Sequence, residues 1–279
     1  MHSGRRVDLH THSDCSDGLL SPAALVALAA RRELALLALT DHDTLAGCEQ
    51  ARLACAARAI RFIPGIELSC EWREREIHVV GLRIDPGDAP LLAHSGLLLG
   101  RRRARIEAMA QRLTRARLPG QELAAMTLAV AVPTRTHLAR ALCTLGLARN
   151  VPDAFERWLK RGRPGFVNAQ WPSLATTVLR IRAAGGIAVL AHAHRYAVSN
   201  GVLRELVGEF KAAGGEAIEV SLAGMGAGDA DRLAALARRF ELAGSIGSDF
   251  HEPDLPWRPL GRFAKLHDLI TPVMALLEP

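Results

Sequence analysis

The 279 residues predict an α/β fold, a mostly parallel sheet or barrel with helices outside, interrupted by an inserted helical subdomain. Three observations predict it. Short apolar runs alternate with helical patterns along the first part of the chain. The same alternation resumes after residue 170. The stretch between them is polar and mainly helical. Repeated strand–helix alternation favours a parallel sheet or barrel. The expected domains are therefore a barrel formed by residues 1–95 and 169–279, and a basic insertion at 96–168.

Arg6–Leu9 reads as the first strand. Ser21-Pro22 is an N-cap followed by proline at the first helical position, and it opens a helix over Ala23–Arg32. Leu34–Leu39 is a second strand, and Thr44–Ala59 is helical. Arg61–Ile66 is a third strand; Glu67–Trp72 and Glu76–Ile84 resemble two more, joined by a charged turn. Beyond the insertion, helices over Ser173–Ala184 and Val202–Ala213 each end at a Gly-Gly pair. Strands Ile187–Leu190, Ala217–Val220 and Ala243–Ile246 alternate with those helices and with Asp229–Phe240.

Composition excludes several classes. No run approaches the roughly 18 apolar residues that span a bilayer. The N-terminus reaches Val7-Asp8-Leu9 without an apolar leader, so a cytoplasmic location is the default expectation. The 5 cysteines form no C-x-x-C pair, which argues against a disulfide framework or zinc ribbon. Aromatics make up 4%, leaving few base-stacking platforms. The net charge of +6 is uneven: 96–168 holds fourteen Lys/Arg against four Asp/Glu, and the remainder is mildly acidic. A basic block suits an anionic partner such as phosphate or nucleic acid. Its alternative is an Arg-rich solvated helix around Arg101, Arg102, Arg103 and Arg105.

The chemistry-bearing residues gather at strand ends. His10 and His12 fall on one side of an extended chain, where neutral imidazoles can bind one metal. Asp17-Gly18 offers a ligand or an ordinary turn. Thr40-Asp41-His42-Asp43 follows the second strand, where α/β folds place active sites. Glu67 follows an apolar run and is either buried with a partner or binds something. His78, inside Ile77–Val80, reads alone as a core histidine. His192 and His194 follow another strand, and Ser248-Asp249-Phe250-His251 follows the last. Random placement would scatter such residues over helices and loops. Nitrogen and carboxylate donors without thiolates suit zinc, manganese or iron. More than four donors imply more than one metal, a recurring solution for phosphate-ester hydrolysis.

These motifs, with Asp8-Leu9-His10-Thr11-His12, Ser16-Asp17-Gly18, Gly65-Ile66-Glu67 and Ala191-His192, resemble the PHP (polymerase and histidinol phosphatase) family in order along nearly the whole chain. The resemblance implies a distorted barrel of seven strand–helix units. It implies that His10, His12, Glu67 and Asp249 hold one metal, that Glu67 bridges to a second held by His78 and His192, and that Asp17, His42 and His251 hold a third. Two or three divalent transition ions follow, manganese first, with iron and zinc as alternatives. The insertion resembles the branch acting on nucleotides and short RNA, through Pro133–Arg140 and Trp158–Val167. That branch usually reads Ala-His-Pro-Gly-Arg-Tyr where this chain has Ala191-His192-Ala193-His194-Arg195-Tyr196, so His194 replaces a glycine and is either a spare polar residue or a proton donor.

The expected activity is removal of the 3′-phosphate from nucleoside 3′,5′-bisphosphates, with 5′→3′ trimming of short 5′-phosphorylated oligonucleotides as the alternative. A histidinol-phosphate phosphatase offers no reason for a basic insertion, and a non-catalytic PHP module would be expected to lose ligands. Asp249 is expected to accept a proton from the attacking water, with Glu67 as the bridge. Arg135, His137, Lys160, Arg163 and Arg195 are expected to bind substrate phosphates, arginine bidentately, whereas Arg161 reads as a surface cation. The insertion is expected to fold over the mouth of the barrel. Small nucleotides or short oligonucleotides are the implied partners, with no membrane and no obligate protein partner.

Overall fold

The computed structural model describes residues 6–255, 257–266 and 269–278. Its elements in chain order begin β1 (Arg6–Asp8), α1 (Pro22–Arg31), β2 (Leu34–Leu39), α2 (Cys48–Ala56), β3 (Arg61–Trp72) and β4 (Arg75–Leu82). Next come α3 (Ala89–Arg115), α4 (Gly120–Leu128), α5 (Arg135–Thr144) and α6 (Val151–Ala154), which runs into a π turn at Phe155–Leu159. The chain continues with α7 (Leu174–Ala183), β5 (Ile187–Leu190), α8 (Asn200–Ala212), β6 (Ala217–Leu222), α9 (Ala227–Arg239) and β7 (Ala243–Gly247). It divides into two compact units, Met1–His94 with Pro172–Pro279, and Ser95–Trp171.

In the first unit the strands lie in one sheet in sequence order. Their apolar alternation explains the layering. Leu36 and Ala38 of β2 face an interior shared with Leu9, Ile63, Val80, Leu82, Val189 and Ala217. Leu37 and Leu39 point the other way, against Leu25, Val26 and Ala29 of α1 and Ala51 and Cys55 of α2. A fully buried aliphatic side chain contributes about 1.5–3 kcal/mol. These two layers hold the unit together through apolar burial. Serine caps start the helices: Ser21, Ser173 and Ser199 accept from Ala24, Thr176 and Val202 N–H. Gly185 (φ +74) and Gly214 (φ +98) follow the ends of α7 and α8 in the left-handed region.

β4 departs from uniform strand–helix alternation. It is antiparallel to both β3 and β5, and no helix separates it from β3. Arg73 (φ +47) and Glu74 (φ +59) form a two-residue hairpin loop of the kind that needs positive φ at both positions. Arg61–Ile66 and Glu67–Trp72, expected as separate strands, are one strand. Its first part pairs with β2 as far as Pro64, and the rest pairs with β4 from Gly65 onward. Glu67 therefore lies inside a strand, just beyond the reach of β2. α2 is shorter than expected because Cys48 N–H bonds Leu45 O in a preceding turn and Ala59 turns to φ +53.

β1 and β7 form no ladder, so the sheet is not closed along its strands. The segments leaving those strands do pair. Asp249 N–H donates to His10 O at 2.8 Å, and His12 N–H to Phe250 O at 2.9 Å. The result is a distorted barrel whose seam runs through the ligand-bearing segments. Among the described residues, no helix is long and apolar enough to cross a membrane.

The second unit has its own core around Ile106, Met109, Leu113, Leu138 and Leu142. Several of its arginines serve that unit's own fold. Arg105 Nε donates to Val167 O at 3.1 Å and Arg112 Nε to Pro164 O at 2.9 Å. The Arg102 and Arg105 guanidinium groups lie 5.5 and 5.8 Å from the Trp171 ring, and both residues are buried. The solvated-helix alternative is thus wrong for these two, whose stems and charges are packed.

Candidate metal centre

The pleat after β1 turns His10 and His12 to one side, while Thr11 turns to the other and donates to Ala38 O at 2.6 Å. The segment after β2 is fastened to β3, with Glu67 N–H on Asp41 O at 3.1 Å and Asp43 N–H on Glu67 O at 2.9 Å. This brings His42 beside Glu67. His192 (φ +30) and Asp249 (φ +51) both hold the left-handed backbone that most side chains avoid. Such local strain persists where surrounding structure enforces it.

Three groups of donor atoms result: His10, His12, Glu67 and Asp249; His42, Glu67 and His78; and His12, Asp17, His42 and His251. In the first, His10 Nε2 lies 3.1 Å from His12 Nε2 and 3.2 Å from Glu67 Oε2. His12 Nε2 is 3.2 Å from the same Glu67 oxygen, and Asp249 Oδ1 is 3.5 and 3.3 Å from the two imidazoles. A tetrahedral site with bonds of roughly 2.0–2.1 Å has edges of about 3.3 Å. These donors already stand at that spacing.

Glu67 is fully buried and joins the first two groups. Its Oε1 lies 2.8 Å from both His78 Nδ1 and His192 Nε2. Its Oε2 lies 3.1 Å from His42 Nδ1. Among the described residues, that last nitrogen makes no hydrogen bond, nor does buried His12 Nδ1. An imidazole nitrogen close to a carboxylate without a hydrogen bond fits a shared cation better than a shared proton. On the far side, His251 Nε2 and His42 Nε2 stand 3.3 and 3.8 Å from Asp17 Oδ1. The donor set fits divalent ions, as imidazole and carboxylate chemistry requires.

Without a cation, protons and ion pairs must balance this cluster. Burial opposes charge on His12, yet Asp249 and Glu67 push its pKa up to about 9. Burial likewise opposes charge on His78, but Glu67 raises it to about 10. Burial wins at His42 and His192, whose pKa values are lowered. Burial would raise Glu67 and Asp249, but the imidazoles around Glu67, and Arg195 and His251 beside Asp249, hold both well below the usual carboxylate range.

Some acidic residues of the same motifs have a different job. Asp41 accepts from Ser13 N–H at 2.7 Å and from the Ser13 and Ser16 hydroxyls, fixing the loop that carries Asp17. Asp8 accepts from Ser248 N–H at 2.9 Å and Gly261 N–H at 2.8 Å. Two residues at the centre escaped sequence reasoning. Glu219 of β6 sits 2.6 Å from His10 Nδ1 and also takes His192 N–H. A carboxylate can only accept, so neutral His10 keeps its proton on Nδ1 and turns its Nε2 lone pair to the cluster. One acid inside the apolar run Ala217–Leu222 was the available signal. Glu219→Gln should lower metal affinity or activity about 10- to 100-fold, the usual range for such supporting carboxylates. Metal titration of both proteins checks this, and unchanged affinity and activity would remove Glu219 from the centre. Arg258 is the other: its Nη1 is 3.2 Å from Asp249 Oδ2, an oxygen also held by Arg195.

The remaining sequence candidates belong to none of the three donor groups. His194 belongs to none of the three groups, and burial lowers its pKa to about 4. It is neutral near pH 7, which is unsuited to a resting proton donor. In the second unit, Arg135 stacks 5.7 Å over Phe155, and His137 Nδ1 accepts from Thr134 N–H at 3.2 Å, closing a capping box on α5. Lys160 pairs with Glu156, and Arg163 N–H bonds Lys160 O at 3.0 Å.

Fold and donor set together define a metal-binding α/β protein with its candidate centre on the strands of a distorted barrel and the segments that follow them. The chain belongs to the PHP domain family, which matches residues 8–114. It is 39% identical over 269 residues to a 5′-3′ exoribonuclease of Haemophilus influenzae, covering 96% of this chain and 98% of that one. It is 38% identical over 274 residues to a 3′,5′-nucleoside bisphosphate phosphatase of Chromobacterium violaceum, covering 98% and 96%. Among solved structures, an amidohydrolase from Chromobacterium violaceum with bound sulfate and no metal superposes with a TM-score of 0.92 at 36% identity, covering 98% of this chain and 95% of the other.

Proposed function

We propose that this chain hydrolyses the 3′-phosphate of nucleoside 3′,5′-bisphosphates, for example releasing AMP and phosphate from adenosine 3′,5′-bisphosphate. It is a hydrolase of phosphoric ester bonds. The observation that carries the reading is the buried Glu67 carboxylate shared among donor groups, in a chain similar to a bisphosphate phosphatase over nearly its whole length. Similarity to exoribonucleases supports a second activity at the same site, 5′→3′ trimming of short 5′-phosphorylated RNA. Each reaction cleaves the phosphate bond on the 3′ side of a 5′-phosphorylated nucleotide.

In this reading His10, His12, Glu67 and Asp249 hold one divalent ion, Glu67 with His78 and His192 a second, and Asp17, His42 and His251 a third. Manganese is the first choice, with iron and zinc also compatible with these donors. Such ions supply an activated water near neutral pH and neutralise phosphate oxygens. Asp249, with Arg195 and Arg258 on Oδ2, suits a ligand that stays ionised rather than a proton acceptor. The two guanidinium groups can offer N–H donors to the reacting phosphate. Purified protein should contain two or three transition ions per chain. A screen of phosphate esters tests the reading: no turnover of nucleoside bisphosphates or 5′-phosphorylated oligonucleotides would end it.

The basic insertion supports recognition of a second phosphate by Arg135, with Lys160, Arg163 and His137. Arg135→Ala should cost about 1.5–3 kcal/mol in kcat/KM, the range for a hydrogen bond to a charged group. The loss should fall on substrates with a 5′-phosphate and spare p-nitrophenyl phosphate. Equal losses on both would assign Arg135 to the fold.

A further inference from the structure

We propose that Trp257 is a stacking platform for the nucleobase of the substrate, an inference that rests on the nucleotide reading above. Of the 4 tryptophans, Trp72 and Trp171 are buried and Trp158 is half-buried; Trp257 is 56% exposed. An exposed indole is common enough on a surface. This one sits on a loop tied to the metal centre by the residues that follow it. Its chain neighbour Arg258 reaches Asp249 Oδ2 at 3.2 Å. Four residues on, Gly261 N–H donates at 2.8 Å to Asp8, the carboxylate that also receives Ser248 N–H and His10 N–H. Arg258 N–H further bonds Leu255 O at 3.0 Å.

The loop also meets the turn after β6. Gly224 there has φ +76, and a Cβ on it would stand 3.0 Å from Trp257 O. A side chain at 224 would press on the Trp257 backbone, so glycine permits the close approach. The Trp257 backbone thus lies against the turn that follows β6, next in sequence to a guanidinium at the candidate metal centre. Adjacent Cα atoms are only about 3.8 Å apart. A nucleotide whose 3′-phosphate lies at the metals extends its base outward from that point. Every base has an apolar π-face, so an exposed indole there binds nucleotides without selecting among bases. In a chain with so few aromatics, this position supplies the base-stacking surface that composition made scarce.

The test compares adenosine 3′,5′-bisphosphate with its abasic counterpart, 1-deoxyribose 3,5-bisphosphate. Wild type should favour the nucleoside in kcat/KM by about 5- to 150-fold, the range for one base–aromatic stack. Trp257→Ala should erase that preference by slowing the nucleoside alone, with metal content unchanged. Trp257→Phe should keep most of it. Equal slowing on both compounds, loss of metal, or a wild type without preference would each overturn the proposal. A wild type that turns over neither compound nor 5′-phosphorylated RNA would sink the functional reading itself, and the stacking role with it.

Discussion

Glu67→Gln should lower kcat/KM at least about a thousandfold, or roughly 4 kcal/mol, and strip metal from the protein. Glutamine keeps the volume of glutamate but replaces one acceptor oxygen with an NH2 donor. Both oxygens of Glu67 are in use: Oε1 faces His78 and His192 at 2.8 Å, and Oε2 faces His10 and His12 at 3.2 Å. Whichever way the amide turns, one set of imidazoles meets a donor where it needs a bridging anion. The fold should survive, because Glu67 pairs with Val80 through its backbone in the β3–β4 ladder. Metal analysis, circular dichroism and steady-state kinetics on the same preparation would decide. A folded Glu67→Gln protein with full metal and activity within tenfold of wild type would refute the shared-carboxylate centre.

Metal affinity should climb steeply with pH, by about a hundredfold or more per unit across neutrality. A ligating imidazole must be neutral, so binding displaces protons. Burial resists the charge on His12 and His78, but neighbouring carboxylates win and raise them to about 9 and about 10 in the metal-free state. At least two protons are therefore lost on binding near pH 7, with a third from His10, which, against the cost of burial, Glu219 and Glu67 also hold well above the usual histidine range, and each contributes about tenfold per pH unit. The metal-free protein should show the opposite trend. A histidine raised above its unfolded pKa of about 6.5 stabilises the fold fully below that value. The contribution is lost as pH rises through about 9 for His12 and about 10 for His78. Heating the protein with and without chelator from pH 6 to 10 should give melting points that diverge. Isothermal titration of manganese in buffers of different ionisation enthalpy would count the protons. No proton release at pH 7 would mean that His12 and His78 are not displaced by a cation.

The alternation of apolar runs with His, Asp and Glu determined a great deal by itself. A period of two along Val7–His12 puts both imidazoles on one side whatever the rest of the chain does. Apolar β2 and β7 must be buried, so the polar residues that follow them, His42 and Asp249, emerge at an edge of the core. The Ser-Pro start of α1 and the glycines after α7 and α8 depend on local backbone chemistry, and they fall where local rules put them.

Partnership was decided only in the folded chain. Asp8, Asp17, Asp41 and Asp249 are chemically alike and sit in similar motifs. Asp41 and Asp8 spend their oxygens on backbone N–H groups and hydroxyls, while Asp17 and Asp249 face imidazoles. Glu67 looked like the end of a strand, because nothing local shows that β3 changes partner at Gly65. Glu219 reaches the centre from 209 positions beyond His10, while Arg258 turns back nine positions onto Asp249. The physical reason is one of scale. Burial patterns follow from the order of residues, whereas a shared cation depends on donor spacings near 3 Å, which only strand register and tertiary packing set.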